Sequence, residues 1–445
     1  LKLCLRCFFP SCTTMKSAHF IVLAFIWWRV ASFAHAVSLR DCVDQEADSS
    51  ALLSSSLNHK RLALNRTHKI YPDEYPTSSS FVYEGRWQID HSVASSDWPA
   101  TAVHFQIRGG TVKARLWGGS VSGGTKVGQE LRAANGTLIS YGEFYVGRFG
   151  GWYETPAVPG GSADTFLVSI RKLTEAHFFP KLPLGIGRSS FEFGGVRLSQ
   201  GASLLGPPPR PKRRIEVVGD SDTTAWGTEG FLSTKQSTCV KNWVKNQNCG
   251  SSWAVVLAQR LAAEVQVVAT MGKGIYSNAE TFGYPSGPPL PGVYDRTLAA
   301  HSQPKWNFGN WLPDVVLIRA GTNDFASNSP PTTDDFKSAY TNFIRSIFRT
   351  YDTYHKNVTV INLCGGAYPS DRGRDYVCPL ISSISELWKN TFSEEGRVEY
   401  VHIPQGIATD EDRGCMDHPR VAAHAHIAEY LDPHMRTILG WDMDS

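Results

Sequence analysis

The feature that most constrains the fold of this 445-residue chain is a change of hydrophobic period on either side of a proline-rich segment. Residues 206–214 read GPPPRPKRR, and three consecutive prolines fit neither a helix interior nor a central strand. Such a segment is stiff and extended, so it predicts a linker between two domains. The length favours the same division, because single hydrophobic cores stop growing at about 250–300 residues.

Before the linker, residues 71–205 have the period of two that is typical of strands. Apolar residues alternate with polar ones over 103–107 and again over 112–116, and Gly109 and Gly110 lie between the two runs. Alternation across a Gly-Gly pair predicts a β-hairpin. Further strands are predicted over 81–87, 166–170, 190–193 and 196–198. We therefore predict an all-β sandwich domain, with jelly-roll topology.

After the linker, residues 215–445 alternate between strand and helix patterns. Strands are predicted over 215–218, 265–269, 314–318 and 358–363, and helices over 252–263 and after Asp334 or Asp335 as a cap. This alternation predicts a three-layer α/β domain with a parallel sheet. In such sheets, ligands bind at the carboxyl ends of the strands.

The first 36 residues are predicted to be an upstream extension followed by a secretory signal peptide. From Met15, a lysine precedes the apolar run 18–28, and Ala34 and Ala36 form a small-residue cleavage site. The 11-residue run is too short to span a bilayer, which favours cleavage and a secreted, extracellular protein without a stable membrane anchor. Residues 37–70 are treated as an N-terminal segment.

Secretion changes how the cysteines are interpreted. Six follow the signal, namely Cys42, Cys239, Cys249, Cys364, Cys378 and Cys415. An even number in an oxidising compartment predicts disulfides rather than metal ligands, and Cys239 with Cys249 is the favoured pair because both flank one polar loop. Sequons at Asn65, Asn135 and Asn357 predict a glycoprotein. The net charge of +3 argues against nucleic-acid binding through a broad basic face.

The stretch GDSDTTAWG, residues 219–227, places Ser221 just past a predicted strand. A serine hydroxyl becomes a nucleophile only when a base takes its proton and donors stabilise the oxyanion. Asn323, which follows another strand, offers an amide donor, and His418 offers the base. Pro419 is the predicted first residue of the last helix.

Each of these residues also fits a structural role, as a turn, loop or cap residue. Gly274 and Gly272 both follow the strand 265–269, and a glycine there provides a backbone donor without a side chain in the way. The reactive residue types occur where a parallel sheet gathers its active site, and this favours the functional interpretation.

These stretches resemble, in order, the four sequence blocks of the SGNH or GDSL hydrolases. The resemblance extends to carbohydrate esterase family 2, whose N-terminal sandwich is similar to EGRW at 84–87 and DWPATAVHFQIRGGTVKARL at 97–116. That family's catalytic blocks are similar to GDSDTTAWG and to GCMDHPRVAAH at 414–424. The match covers roughly residues 71–440.

The resemblance implies an O-acetyl esterase that needs no metal or cofactor and acts on acetylated xylan, glucomannan or their oligosaccharides. It assigns Ser221 as the nucleophile and His418 as the general base and then acid. The oxyanion hole would consist of the N–H of Ser221, the N–H of Gly274, with Gly272 as the competing glycine, and the side chain of Asn323.

The chain also departs from the superfamily pattern. Cys415 stands three residues before the histidine, where most members have an aspartate, and Asp417 directly adjoins His418. The family that the chain resembles includes members with a Ser-His dyad whose imidazole is held by a backbone carbonyl, and we expect that arrangement here. Asp222 replaces the usual aliphatic residue, either as a solvated loop residue or as a group that changes the local electrostatics. Trp226 either stacks on a sugar ring or belongs to the core.

Two other functions remain as alternatives. A lipid or aryl-ester hydrolase of the same superfamily would need an apolar acyl channel, and a non-catalytic carbohydrate-binding protein would have a disabled site. A metal site at His418, His424 and His426 is disfavoured, because residues two apart point to different faces of a helix. The sequence makes no prediction about the oligomeric state.

Overall fold

The computed structural model describes residues 72–119, 124–155, 164–176, 190–279, 287–327, 329–368 and 375–441. All of them lie within one compact unit of the chain, residues 69–445. The predicted signal peptide and N-terminal segment, with Cys42 and Asn65, lie outside the described residues.

The N-terminal domain consists of two antiparallel sheets that enclose one apolar core. Its strands are β1 (Val82–Glu84), β2 (Gln88–Ile89), β3 (Ala94–Ser96), β4 (Ala102–Arg108), β5 (Val112–Gly118), β6 (Thr125–Ala133), β7 (Leu138–Val146), β8 (Gly151–Glu154), β9 (Thr165–Lys172), β10 (Phe191–Leu198) and β11 (Ser203–Leu204). One sheet has the order β1-β4-β9-β6-β7 with β11 on β4, and the other has the order β2-β3-β10-β5-β8. Phe105 and Val168 from the first sheet pack with Leu116 and Phe193 from the second, which confirms the predicted sandwich.

The predicted hairpin is wrong, because β4 and β5 belong to different sheets. Both strands turn their apolar residues into the shared core, so alternation alone does not distinguish pairing from crossing between sheets. Gly109 and Gly110 have φ of +63° and +56° at the crossing. A Cβ at Gly109 would lie 2.6 Å from the carbonyl oxygen of Gly201, so this close approach requires glycine. The two strands predicted over 190–198 are one strand, β10, with a register shift between Phe193 and Val196.

The C-terminal domain is a parallel sheet covered by helices on both faces, as predicted. Its strands are β12 (Arg213–Gly219), β13 (Ala263–Ala269), β14 (Val315–Arg319), β15 (Thr359–Cys364) and β16 (Arg397–His402), in the order β13-β12-β14-β15-β16. Its helices are α1 (Gln236–Lys241), α2 (Trp253–Arg260), α3 (Thr322–Phe325), α4 (Thr333–Asp352), α5 (Cys378–Thr391) and α6 (Val421–Leu439). Single 3-10 turns cover Cys249–Ser251, Leu290–Gly292, Phe308–Asn310, Asp375–Val377, Ser393–Glu395, Asp410–Asp412 and Cys415–Asp417. Helices α2 and α6 pack on one face of the sheet, and α4 and α5 pack on the other.

Two predicted helix starts are shifted. The cap of α4 is Thr332, whose hydroxyl accepts from the N–H of Asp335, so Asp335 lies in the first turn. Helix α6 begins at Val421 rather than at Pro419, because Arg420 is extended and its N–H donates to the carbonyl of Asp412 at 2.8 Å. Among the described residues, no helix has both the length and the apolar composition needed to cross a bilayer.

The predicted Cys239–Cys249 disulfide is also wrong. The structure joins Cys239 to Cys415 and Cys364 to Cys378, and it leaves Cys249 as a buried free thiol. The Cys249 thiol donates to the carbonyl of Thr224 at 2.8 Å. Its N–H donates to the carbonyl of Leu173 in the sandwich at 2.9 Å. Cys249 therefore belongs to the contact between the two domains.

Candidate active site

The stretch GDSDTTAWG forms a tight loop at the carboxyl end of β12, and we call residues 220–227 the nucleophile loop. The N–H groups of Thr223 and Thr224 both donate to the carbonyl of Asp220 at 3.1 Å, and the N–H of Trp226 donates to the carbonyl of Ser221 at 3.1 Å. These bonds hold Ser221 at the edge of the sheet with 8% of its surface exposed.

The side chain of His418 lies against the Ser221 hydroxyl. The distance from His418 Nε2 to Ser221 Oγ is 2.8 Å. On the other side of the ring, Nδ1 lies 3.0 Å from the carbonyl oxygens of Cys415 and Met416. Carbonyl oxygens only accept hydrogen bonds, which assigns the proton to Nδ1 and makes Nε2 the acceptor for the serine hydroxyl. This is the tautomer that a general base needs.

The segment that turns these two carbonyls toward the ring is fastened at several points. Met416 and Asp417 have φ of 53° and 63°, which is unusual for residues other than glycine. Cys415 is tied to α1 by its disulfide with Cys239, and its N–H donates to the carbonyl of Gly227 at 3.2 Å. A Cβ at Gly227 would lie 2.8 Å from the Cβ of Cys415. The segment that carries His418 is therefore packed directly against the nucleophile loop.

The carboxylate of Asp417 has a partner other than the histidine ring. It pairs with the guanidinium of Arg413 at 3.2 Å, and 58% of its side chain is exposed. Adjacency in sequence thus does not make Asp417 an orienting group for His418.

The amide of Asn323 lies beside the nucleophile loop, at the start of α3. Its Nδ2 is 3.2 Å from Asp220 Oδ2 and 3.0 Å from the carbonyl of Lys273. The other oxygen of Asp220 accepts the N–H of Asp222 at 3.1 Å. Asp220 therefore orients the Asn323 amide and shapes the loop that carries the serine.

The two candidate glycines lie in residues 271–279, which we call the oxyanion loop. They differ in their surroundings. Gly274 is buried, and its N–H donates to Asn278 Oδ1 at 3.3 Å. The carboxylate of Asp324 approaches Gly274 so closely that a Cβ would collide with it, which gives this residue a structural reason to be glycine. Gly272 is partly exposed and has φ of 75°. Gly274 stays the predicted oxyanion donor, with Gly272 as the competing glycine.

Asp222 forms a buried ion pair rather than a solvated loop contact. Its Oδ2 lies 3.3 Å from the guanidinium of Arg319, and the two side chains are 11% and 8% exposed. Nearby, burial lowers the pKa of His424 to about 3, so this imidazole is neutral. The Nδ1 of His424 accepts the N–H of Trp253 at 3.2 Å. The charge of the Asp222 carboxylate is therefore balanced by Arg319.

Trp226 packs against the ring of His418, with centroids 4.8 Å apart, and is 2% exposed. A sugar ring needs an open aromatic face, so this burial favours the core alternative for Trp226 over substrate stacking. His424 is buried while His426 is exposed, and in the described part of the chain no cluster of three or more His, Cys, Asp or Glu side chains could hold a metal ion.

Sequence reasoning missed two contributors to the site. One is the Cys239–Cys415 disulfide, which joins residues 176 apart in sequence. The other is Glu175, a residue of the sandwich domain whose carboxylate lies between the nucleophile and oxyanion loops. No sequence pattern marks either contact, because the disulfide depends on how the last loop packs within the C-terminal domain and the Glu175 contacts depend on how the two domains pack.

Comparison with known proteins agrees with this geometry. Residues 215–431 match the family of GDSL-like lipases and acylhydrolases. A cellulase/esterase, CelE, from Acetivibrio thermocellus is 32% identical over 252 residues, which cover 56% of this chain and 28% of that protein. An acetylxylan esterase / glucomannan deacetylase from Cellvibrio japonicus is 28% identical over 261 residues, covering 58% of this chain and 66% of that one. The chain thus spans less than two thirds of the length of either relative.

Solved structures are similar over both domains. A family two carbohydrate esterase from Clostridium thermocellum in complex with cellohexaose superposes with a TM-score of 0.64 at 25% identity, covering 81% of this chain and all of that one. An acetyl xylan esterase from Butyrivibrio proteoclasticus has the same fold, with a TM-score of 0.66 at 18% identity over 82% of this chain and 98% of that chain. Residues 215–431 are thus a GDSL or SGNH hydrolase domain, and the matches of the chain in sequence and structure are to carbohydrate esterase family 2 enzymes.

Proposed function

We propose that this protein is a secreted carbohydrate O-acetyl esterase that removes acetyl groups from plant-type polysaccharides or their oligosaccharides through a serine acyl-enzyme. The observation that carries the proposal is the 2.8 Å contact between Ser221 Oγ and His418 Nε2, with a backbone-held proton on Nδ1. The substrate class is supported by the relatives named acetylxylan esterase / glucomannan deacetylase and by the cellohexaose bound to a family two esterase.

In the first half of the reaction, Ser221 Oγ attacks the acetyl carbonyl carbon while His418 Nε2 takes the hydroxyl proton. The tetrahedral oxyanion receives hydrogen bonds from the N–H groups of Ser221 and Gly274 and from the Asn323 amide. The carbon–oxygen bond to the sugar then breaks, and His418 gives the proton to the departing sugar oxygen, which becomes a hydroxyl. An acetyl-serine remains.

In the second half, water replaces the sugar. His418 takes a proton from the water as its oxygen attacks the acetyl-serine, and then gives that proton to Ser221 Oγ as acetate leaves. The dyad positions the imidazole through carbonyl oxygens, which fix the tautomer without adding a second charge to the site.

The location is part of the proposal. It is supported by the signal pattern of residues 15–36 and by the two disulfides, which persist in oxidising compartments. Two of the three sequon asparagines, Asn135 and Asn357, are exposed, as glycosylation requires.

The test is acetate release from acetylated xylan and acetylated glucomannan, with 4-nitrophenyl acetate, butyrate and octanoate alongside. Ser221→Ala is expected to abolish turnover, and Asn323→Ala to lower kcat by roughly 10²–10³-fold. The matched control is Ser383→Ala, which removes a partly buried serine hydroxyl bonded to the carbonyl of Leu380 on α5. A preference for octanoate over acetate would instead assign a lipid esterase, and inert protein that binds the polysaccharides would assign a binding protein.

A further inference from the structure

One buried carboxylate of the sandwich domain lies inside the catalytic machinery. Glu175 follows β9, and it is 0% exposed. Its backbone belongs to the sandwich side of the domain contact, where Leu173 accepts the N–H of Cys249. Its side chain extends into the C-terminal domain.

The carboxylate joins the two loops that build the site. Oε2 accepts the N–H of Met271 at 2.8 Å and lies 3.1 Å from the hydroxyl of Thr224. Met271 directly precedes Gly272 in the oxyanion loop, and Thr224 lies three residues after Ser221 in the nucleophile loop. A single oxygen thus receives a donor from each side of the reaction centre.

The other end of the carboxyl group is fixed independently. Gln247 donates to Oε1 at 3.3 Å, and the same amide accepts the N–H of Glu175 at 2.8 Å. Gln247 is also fully buried. This two-way bond leaves Glu175 a single orientation, because rotating the Gln247 amide would break its bond to the Glu175 backbone.

The Thr224 hydroxyl connects this group to the nucleophile itself. Its Oγ1 lies 3.1 Å from Glu175 Oε2 and also 3.1 Å from the carbonyl oxygen of Ser221, so the single hydroxyl proton is shared between these two acceptors. A displacement of the carboxylate would therefore shift both the residue that carries the nucleophile and the backbone leading to the oxyanion donor.

We infer that Glu175 is a positioning residue of the sandwich domain that sets the distance between the nucleophile loop and the oxyanion loop. The inference rests on the proposed esterase function and adds to it a role for the N-terminal domain in the reaction. It requires no contact between Glu175 and substrate. We expect a change at Glu175 to affect kcat, because the spacing of the two loops matters most when the oxyanion forms.

The first variant is Glu175→Gln, which keeps the shape and replaces one acceptor oxygen by an NH₂ group. That group would face the Gln247 amide, donor against donor. We expect kcat to fall by roughly tenfold or more, toward the ~100-fold that a 1 Å misplacement can cost, with KM nearly unchanged.

The second variant is the exchange Glu175→Gln with Gln247→Glu, which restores every donor–acceptor match at the same total charge. The new amide at position 175 would accept from Met271 and Thr224 through its oxygen and donate through its NH₂ group to the new carboxylate at position 247. The other oxygen of that carboxylate would accept the backbone N–H of position 175. We expect this exchange to recover most of the lost kcat. If Glu175 had a purely structural role, the loss of kcat would instead parallel the loss of melting temperature. Both kcat and the melting temperature are therefore measured for each variant.

The matched control is Glu84→Gln. Glu84 is another buried carboxylate of the sandwich, and it bonds to His104 and Arg171 of the same domain. The Glu84→Gln substitution should lower stability and leave kcat unchanged. If Glu175→Gln does not fold, Thr224→Val removes the same contact from the catalytic side and is expected to lower kcat alone.

The assays use 4-nitrophenyl acetate turnover and the rate of Ser221 labelling by a fluorophosphonate. Wild-type kcat in Glu175→Gln, or a loss that the exchange does not repair, overturns the inference. Labelling separates the two proposals: a wild type that is labelled but hydrolyses no acetyl ester refutes the proposed substrate, and the labelling rates still decide the role of Glu175. A wild type inert to both refutes both proposals.

Discussion

The guanidinium of Arg86 in the sandwich donates to the carboxylate of Glu216 in β12 at 3.0 Å, and both side chains are fully buried. Glu216 also accepts from the hydroxyl of Tyr351 at 2.8 Å and from the Gln266 amide at 2.7 Å. Arg86 additionally donates to the carbonyl of Arg296 at 3.0 Å. The buried carboxylate in β12 is therefore neutralised by a side chain of the other domain.

Arg86→Met is expected to destabilise the protein by about 3–5 kcal/mol, because it leaves a buried carboxylate without its counter-charge. Urea unfolding measures the loss. The control is Lys113→Met, which breaks an exposed pair with Glu154 at 3.7 Å and should cost no more than about 1 kcal/mol. Equal losses in the two variants would show that the buried pair has no special weight.

Asp417→Asn is expected to leave kcat within about threefold of wild type. The Asp417 carboxylate bonds to Arg413, whereas carbonyl oxygens hold His418. Removing the orienting acid of a full triad lowers kcat by about 10⁴-fold, so kinetics on 4-nitrophenyl acetate distinguish the two arrangements clearly. A loss of that size would make Asp417 a member of the machinery and refute the dyad.

Replacing Cys239 and Cys415 by serine is expected to lower both stability and kcat. The bond fixes the segment whose carbonyls hold His418, and disulfides typically contribute about 2–4 kcal/mol. The comparison is the double serine variant at Cys364 and Cys378, which lie 14 residues apart and do not contact His418 in this way. Thermal melts and kcat are measured together, and equal kcat losses in the two variants would contradict a specific role for the first disulfide.

The stability of the protein should carry a pH signature of Glu175. Burial raises the pKa of this carboxyl from 4.5 to about 7, against the hydrogen bonds from Met271 and Thr224 and the charge of Lys172. The folded protein therefore holds a proton that the unfolded chain releases, so the contribution is complete below pH 4.5 and is lost as the pH rises toward about 7. Asp97 and the Cys249 thiol are the other titratable groups near Lys172.

Wild type should therefore lose stability as the pH rises from about 4.5 to 7, whereas Glu175→Gln should not. The difference in free energy of unfolding between the two proteins should shift in favour of the variant over this range, by on the order of 3 kcal/mol. Urea unfolding of both proteins across this range measures the difference. Parallel curves would show that the carboxyl titrates in the folded protein as it does in the unfolded chain.

The fold could be predicted where local pattern determines it. The apolar run at 215–218 and the helical face after Thr332 required no long-range information, and the sandwich followed from alternation at 103–107 and 112–116. The pairing of β4 and β5 could not be predicted, since both sheets bury the same face pattern. Likewise, the partner of Cys239 is 176 residues away and depends on the packing of the last loop.

The site divides in the same way. Ser221, Asn323 and His418 were identifiable because each follows or precedes a recognisable element, and the structure brings their side chains to one edge of the sheet. The close approach of Asp324 to Gly274 and the pairing of Asp417 with Arg413 both depend on tertiary packing. The role of Glu175 could not be predicted from the sequence, because its partners Thr224 and Met271 are distant in sequence.

The burial of Arg86, Glu175 and Cys249 between the domains has a practical consequence for the design of fragments and fusions of this protein. A fragment cut at the proline segment would expose Glu216 without its arginine and would leave the backbone of Met271 without its acceptor. Fusion, shuffling or display of this protein therefore requires residues 72–441 to be kept together, even though the sequence predicts two domains.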